Sequence, residues 1–256
     1  MKVGVVLAAG ASSRMGSSKP LVQINGESFL AHGIRNLWAV CDTVVVVLGA
    51  EAARVRRSAE EEFERLIQTG GLHADLKAAK RHGIEGLEVH FIHNRSWARG
   101  MFDSARLGLA EALRVGPEAV VVLPVDHPHL TAPTVRLLSA AMDAALGAYQ
   151  GSKKDRQGFA YAVVPRHDGR RGHPLVLSPG LARRIADDDD ANDLSDAVRR
   201  NARLVGYLDV PDAGVVRNLN APDDGEGRRQ SRRKSQPTGK PRKSKGTKKR
   251  SSRPRR

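Results

Sequence analysis

The sequence predicts an α/β fold: a mainly parallel, Rossmann-like sheet with helices on both of its faces. Four short β-rich runs alternate with helical stretches along the first half of the chain, in the pattern βαβαβαβ. All but the third run are almost wholly apolar, as is typical of parallel strands that are covered on both faces. In a doubly wound sheet of this kind, ligands bind at the carboxyl ends of the strands. The four predicted strands are Lys2 to Ala8, Thr43 to Leu48, Leu87 to His93 and Ala119 to Leu123.

The helices that connect these strands are expected around Phe29 to Val40, Glu51 to Gln68, Ala74 to Arg81 and Asp103 to Leu113. A further helix is expected to begin at Thr131, a good N-cap, with Pro133 in its first turn. After Gly147 the pattern becomes more irregular, and this half is expected to close over a ligand and to receive a second substrate. Its expected elements are strands at Phe159 to Val164, Pro174 to Leu177 and Arg203 to Leu208, and short helices near Leu181 and Leu194.

The positive charge of the chain is concentrated at its end. Residues 225–256 hold 15 Lys or Arg and one acid, Glu226, so this segment carries +14 of the net charge of +15. It lacks large apolar side chains and is predicted to be a disordered tail, which leaves residues 1–224 as one nearly neutral α/β domain. Such a tail either binds polyanions, nucleic acid among them, without sequence preference or is simply solvated.

Cys41 is the only cysteine, which excludes an intramolecular disulfide and argues against a cysteine-based metal site. This composition fits a reducing, cytoplasmic location. The apolar runs at positions 3–9 and 44–50 are much shorter than the roughly 20 residues of a membrane helix, so no membrane span is expected.

A glycine-rich loop, Leu7 to Lys19, directly follows the first predicted strand. Gly10 and Gly16 permit tight turns and close approach of a ligand to the backbone, while Arg14 and Lys19 add positive charge. Backbone N–H groups combined with cations indicate a phosphate-binding loop for a nucleoside triphosphate. The spacing fits neither of the two commonest nucleotide motifs, G-x-x-x-x-G-K-[ST] and G-x-G-x-x-G.

The loop resembles the opening signature of the MobA-like NTP transferases, L-A-A-G-x-S-x-R-M-G-x-x-K-x-L, through Leu21. This family transfers nucleotidyl groups from an NTP and releases pyrophosphate, on a GT-A-like sheet. The resemblance implies that Lys19 and Arg14 are catalytic, with Lys19 neutralising phosphate charge and Arg14 holding the leaving pyrophosphate. It also implies nucleotide contacts at Leu7, Ala8, Ala9, Gly10, Ser12 and Gly16.

Asp126 follows the fourth predicted strand, on the same rim as this loop. A carboxylate there suits Mg²⁺, which stabilises charge on the α-phosphate and on the leaving pyrophosphate, so Asp126 is a predicted catalytic residue and metal ligand. Its segment resembles the family's G-D-x-P, with Val125 in place of the glycine; a turn-forming or helix-capping aspartate is the alternative. Asn220 is the candidate second metal ligand, because residues 217–224 resemble the family's D-x-D-T-P-E-D with two asparagines for acids. A turn that starts a terminal helix is the alternative there.

Two further segments resemble the molybdenum cofactor cytidylyltransferases within this family. Residues 94–109 match N-x-x-W-x-x-G-M-x-x-S-x-x-x-G-L, which implies nucleotide contacts at Gly100 and Ser104 near a helix N-terminus. Residues 170–177 match R-R-G-H-P followed by an apolar run, which implies that Arg171, Gly172 and His173 bind an anionic acceptor such as a pterin phosphate. The alternative for the arginines is a solvated turn.

These resemblances favour CTP as the donor and the molybdopterin cofactor as the acceptor. A GTP- or UTP-using transferase with a sugar 1-phosphate acceptor stays open, as does a nucleic-acid-binding protein that keeps a degenerate transferase domain. His127 and His129 are predicted to be surface turn residues rather than zinc ligands. The acidic run at 187–190 is predicted to be solvated.

Overall fold

The computed structural model describes residues 1–11, 18–70, 88–149 and 155–219, and within them the chain forms a mixed sheet with helices on both faces. The strands are β1 (Lys2–Ala8), β2 (Gln23–Ile24), β3 (Glu27–Ser28), β4 (Thr43–Leu48), β5 (Glu88–His93), β6 (Ala119–Pro124), β7 (Ala162–His167), β8 (Arg170–Arg171), β9 (Leu175–Leu177) and β10 (Val205–Asp209). The α-helices are α1 (Phe29–Trp38), α2 (Ala52–Gln68), α3 (Met101–Leu113), α4 (Ala132–Ala148), α5 (Pro179–Ala186) and α6 (Leu194–Arg200).

The main sheet has the order β10-β7-β9-β6-β1-β4-β5, with β8 beside β7, while β2 and β3 form a separate small hairpin. Strands β5, β4, β1 and β6 run parallel to one another, and β10 runs parallel to β7. Only β8 and β9 run against their neighbours in the main sheet, among the strands described. The predicted fold class is therefore confirmed, and the four parallel strands bring their carboxyl ends to one edge.

Two apolar cores lie on opposite faces of the sheet. Helices α1, α2 and α4 cover one face and α3, α5 and α6 cover the other. Strands β1, β4 and β6 are buried almost throughout, because side chains that alternate along each strand enter one core or the other. This explains why their sequences are continuous apolar runs.

Most expected elements are present with shifted ends. The helix expected at Asp103 begins at Met101, and the strand expected at Arg203 begins at Val205. Thr131 precedes α4, but its hydroxyl donates to Asp212 instead of capping the helix. The hairpin of β2 and β3 was not expected.

Several predictions lie outside the described residues: the helix at 74–81, the boundary at residue 224 and the basic tail. In the part of the chain that the structure describes, no helix is long and apolar enough to cross a membrane.

Candidate functional site

A cavity of about 300 Å³ opens at the carboxyl ends of β1 and β6, against the N-terminal turn of α3. It joins sequence segments that are more than a hundred residues apart. Eight predicted site residues line it: Leu7, Ala8, Ala9, Gly10, Lys19, Gly100, Ser104 and Asp126. Four others, Ser12, Arg14, Gly16 and Asn220, lie outside the described residues.

A larger cavity of about 710 Å³ lies between α2 and β5, lined in part by Phe63 and Phe91. Its lining contains none of the predicted site residues. The chemistry of the smaller cavity, with a cation and a carboxylate, makes that one the candidate active site.

The start of the glycine-rich loop is held by its neighbours on both sides. Val125 donates its N–H to the Leu7 carbonyl at 3.1 Å, and Ala50 donates to the Ala9 carbonyl at 3.2 Å. A Cβ added at Gly49 would lie 2.3 Å from the Ala9 oxygen, so glycine is required there for the loop to pack so closely. Sequence reasoning missed Gly49, although its place directly after the second apolar strand was a usable signal.

Lys19 and Asp126 face each other across the cavity mouth. The Lys19 Nζ lies 3.2 Å from Oδ2 of Asp126, and their side chains are 18% and 19% exposed. Lys19 begins a short 3-10 turn in which Pro20 is buried. The predicted catalytic cation and metal-binding carboxylate are therefore brought into one ion pair, in which each neutralises the other.

The segment after β10 packs behind Asp126. The Leu219 N–H donates to the backbone carbonyl of Asp126 at 2.9 Å, which holds Leu219 against the backbone at the end of β6. The ring of His127 lies 3.2 Å from the Gly214 carbonyl through Nδ1, and its Nε2 lies 3.8 Å from Asp126 Oδ1. These contacts show that the segment after β10 covers the residues that follow β6.

His127 is consequently buried, and the prediction of a surface turn histidine was wrong for it. Burial is the main cause that lowers the pKa of His127, so the fold favours the neutral ring. His129 is half-buried, and its Nε2 is enclosed. Both histidines are covered because residues 212–219 cross over the end of β6. No local sequence pattern reveals this crossing. Among the described residues, no group of three or more His, Cys, Asp or Glu side chains could hold a metal ion.

The N-terminal turn of α3 forms another wall of the cavity. Gly100 adopts φ +129°, a conformation that other residues rarely take, and directly precedes the helix. Ser104 is buried, and its Oγ accepts a hydrogen bond from Asn94 Nδ2 at 2.9 Å. The helix N-terminus and a hydroxyl thus face the space between the loop and Asp126.

The three predicted acceptor residues have different surroundings. Arg171 is exposed, and its guanidinium lies over the ring of Tyr207 at 4.9 Å. Gly172 packs so closely on residue 215 that a Cβ would lie 2.2 Å from the Val215 oxygen. His173 stands edge-on to His127 with ring centroids 5.1 Å apart, and burial lowers its pKa to about 3. A neutral His173 offers a hydrogen bond rather than a charge.

The acidic run at 187–190 is tied to two helices. Arg106 of α3 pairs with Asp189 at 2.6 Å, and Arg200 of α6 pairs with Asp188 at 3.1 Å. Asp189 is nevertheless 83% exposed. The run therefore combines a solvated surface with ion pairs that link α3, α5 and α6.

Residues 4–204 match the MobA-like NTP transferase domain. The molybdenum cofactor cytidylyltransferase of Escherichia coli is 22% identical over 224 residues, which cover 86% of this chain and 91% of that protein. The bifunctional protein GlmU of Gluconacetobacter diazotrophicus is 29% identical over 85% of this chain, but the chain spans only 40% of its length. Nicotine blue oxidoreductase of Paenarthrobacter nicotinovorans is 29% identical over 72% of this chain and 74% of its own length.

Solved structures share the fold at low identity. Rv0371c from Mycobacterium tuberculosis has a TM-score of 0.60 and 20% identity, covering 87% of this chain and 94% of its own. A structure of Rv0371c in complex with manganese has a TM-score of 0.52 and 19% identity, covering 91% and 96% of the two chains. A nucleotidyl transferase from Methanothermobacter thermautotroptrophicus has a TM-score of 0.54 and 18% identity, covering 88% and 94%.

Proposed function

Because the chain belongs to the MobA-like NTP transferase family, whose members are nucleotidyltransferases, we propose that it transfers a nucleoside monophosphate from CTP to a phosphorylated acceptor, the molybdopterin cofactor, and releases pyrophosphate. The observation that carries the proposal is the Lys19–Asp126 pair, which lines one cavity together with residues 7–10 and the N-terminal turn of α3. A cation, backbone N–H groups and a carboxylate in one cavity are what an NTP with a divalent ion requires.

The nucleotide would lie along residues 7–10, with its base or ribose toward Gly100 and Ser104 and its phosphates toward Lys19. The positive end of α3 favours electron-rich oxygens, such as those of the base or ribose, on that side of the cavity. Arg14, Ser12 and Gly16, which lie outside the described residues, are proposed to complete the phosphate contacts.

The donor set near Asp126 fits Mg²⁺, because this ion is usually held by one or two carboxylates together with substrate phosphates and water. Asp126 supplies one carboxylate, and Asn220 is the proposed second protein ligand. When bound, a divalent ion supplies positive charge to the α-phosphate and to the leaving pyrophosphate.

In the proposed step, an oxygen of the acceptor phosphate forms a bond to the α-phosphorus, and the bond from that phosphorus to the bridging oxygen breaks. Pyrophosphate leaves with the electron pair, in line with the attack. An acceptor phosphate is already ionised, so no strong general base is needed. Lys19 exchanges Asp126 for phosphate oxygens and neutralises the charge that develops, and Asp126 is then free for the metal.

The choice of CTP and molybdopterin rests on fewer observations than the assignment of nucleotidyl transfer. It is supported by the segments at 94–109 and 170–177 and by the similarity to a cytidylyltransferase along 91% of that protein. Arg171, exposed beside Tyr207, is the proposed contact for the acceptor phosphate. Gly172 and His173 hold its strand against residue 215.

The test is pyrophosphate release from each of the four NTPs with a panel of acceptors, molybdopterin and sugar 1-phosphates among them. The proposal expects release with CTP and molybdopterin and little release with other pairs. Release with sugar phosphates alone would overturn the acceptor assignment. Retained polyanion binding without any NTP turnover would favour the nucleic-acid-binding alternative, and deletion of residues 225–256 tests whether the tail causes it.

A further inference from the structure

The N-terminal turn of α3 contains a buried hydrogen-bond pair whose direction is fixed. Asn94 is 5% exposed and Ser104 is 1% exposed. The Asn94 Oδ1 accepts the backbone N–H of Ser96 at 2.9 Å, and its Nδ2 lies 2.9 Å from Ser104 Oγ. Because a backbone N–H can only donate, the atom that faces Ser96 must be the amide oxygen, and the amide cannot be flipped.

The orientation of the amide sets the role of the serine. The Ser104 Oγ must accept from Asn94, so one of its two lone pairs is occupied, and its proton is not used by Asn94 and remains available together with the second lone pair. Ser104 lines the cavity beside Gly100 and Met101. The hydroxyl therefore offers the cavity a donor.

We infer that Asn94 is a positioning residue that makes Ser104 a hydrogen-bond donor to the base of the nucleotide, an inference that rests on the proposed function. A hydroxyl proton that is kept available fits an exocyclic carbonyl oxygen, which cytosine, uracil and guanine carry. Adenine carries no such oxygen, since its one exocyclic group is an amino group. Asn94 thus favours a base with a carbonyl oxygen, such as that of CTP, without contacting the nucleotide.

Asn94→Asp tests the direction of the bond. A carboxylate still accepts from Ser96, but it also accepts from Ser104, whose hydroxyl then turns its lone pairs to the cavity. We expect the KM for CTP to rise about tenfold with a smaller change in kcat, because a base carbonyl loses its donor. The preference for CTP over ATP in kcat/KM should fall by a similar factor.

The added negative charge can weaken binding of all four NTPs, and Ser104→Ala separates this effect from the hydrogen bond. In the Ser104→Ala background, Asn94→Asp should change kcat/KM for all four NTPs by one common factor. The ratio of kcat/KM for CTP to that for ATP should then stay unaltered. Asn94→Ala, which removes the amide without adding charge, should lower that ratio less. Ser139→Ala, at a serine that is 2% exposed on α4, is the matched control and should leave the ratio unchanged.

The measurements are steady-state kinetics and direct NTP binding, with thermal unfolding of each variant. The inference is overturned if Asn94→Asp changes kcat/KM for CTP and for ATP equally. It is also overturned if the effect on the ratio of these two values persists without the Ser104 hydroxyl. If Asn94→Asp does not fold, an unchanged ratio in both Asn94→Ala and Ser104→Ala overturns it. Failure of the proposed function is a separate result, namely that the unaltered protein binds none of the four NTPs.

Discussion

Replacement of Lys19 by Met separates the catalytic role of this cation from its role in folding. Methionine keeps the length and apolar stem of the side chain and removes the charge. At 3.2 Å and an effective dielectric constant of about 20, the attraction to Asp126 is about 5 kcal/mol. Both side chains are less than a fifth exposed, so desolvation offsets most of this attraction, and we expect the free energy of unfolding to change by about 1 kcal/mol.

The reaction should respond far more strongly than stability. Loss of one fixed group that neutralises charge in the transition state typically costs about 2.7–4 kcal/mol, or roughly 10²–10³ in kcat. The same substitution removes the cation that holds Asp126, so Mn²⁺ should bind the nucleotide-free variant more tightly than the unaltered protein. The assays are pyrophosphate release, Mn²⁺ titration and urea unfolding.

Lys2 provides a matched control at the other end of β1. Its Nζ pairs with Asp143 at 2.7 Å, and its side chain is also 18% exposed. Lys2→Met should leave pyrophosphate release unchanged. A Lys19→Met variant that keeps the kcat of the unaltered protein would refute the assignment of Lys19.

Three further predictions concern separate parts of the molecule. Gly49→Ala should destabilise the fold by about 2 kcal/mol and raise the KM for the NTP, because its Cβ would meet the Ala9 oxygen; denaturant unfolding and kinetics measure both. Arg171→Ala should raise the KM for the acceptor severalfold and leave the KM for the NTP unchanged, which initial-rate kinetics separate. Asp196, whose pKa is lowered to about 2 chiefly by its hydrogen bond from Arg199, stabilises the fold above its ordinary pKa and loses this contribution as pH falls toward 2. Asp196→Asn should therefore be less stable at pH 7 and equally stable near pH 2, as read from unfolding curves across pH.

The first two of these predictions have control variants. Gly33→Ala adds a Cβ that would lie 3.7 Å from Leu123 Cδ2, an ordinary contact, so this variant should be at least as stable as the unaltered protein. Arg184→Ala removes an exposed arginine of α5 and should not affect the acceptor. A pH-independent stability difference in Asp196→Asn would contradict the ionic explanation.

The parallel half of the sheet could be predicted because its signal is local. Strands β1, β4 and β6 are continuous apolar runs. The glycine-rich loop follows β1, and Asp126 follows β6. The rule that parallel strands share one carboxyl edge then brings these residues together without knowledge of packing. The cavity agrees with that reasoning.

Other features depend on contacts that are distant in sequence. The direction of β9 is set by pairing with β6 and β7, and a three-residue apolar run contains no information about direction. Burial of His127 depends on the carbonyl of Gly214, 87 residues further along the chain. The need for a glycine at position 49 depends on Ala9 across the strand ends. None of these contacts leaves a periodic pattern in the sequence.

The central claim is that the cavity at Lys19 and Asp126 binds an NTP that is cleaved at its α-phosphorus. The most direct measurement supplies CTP labelled at the α-phosphate, Mg²⁺ and molybdopterin, and follows both the label and the free phosphates. The account predicts that label enters the acceptor in a one-to-one ratio with released pyrophosphate, and that Asp126→Asn abolishes both. Release of inorganic phosphate without transfer of the label, or undiminished transfer by Asp126→Asn, would contradict it.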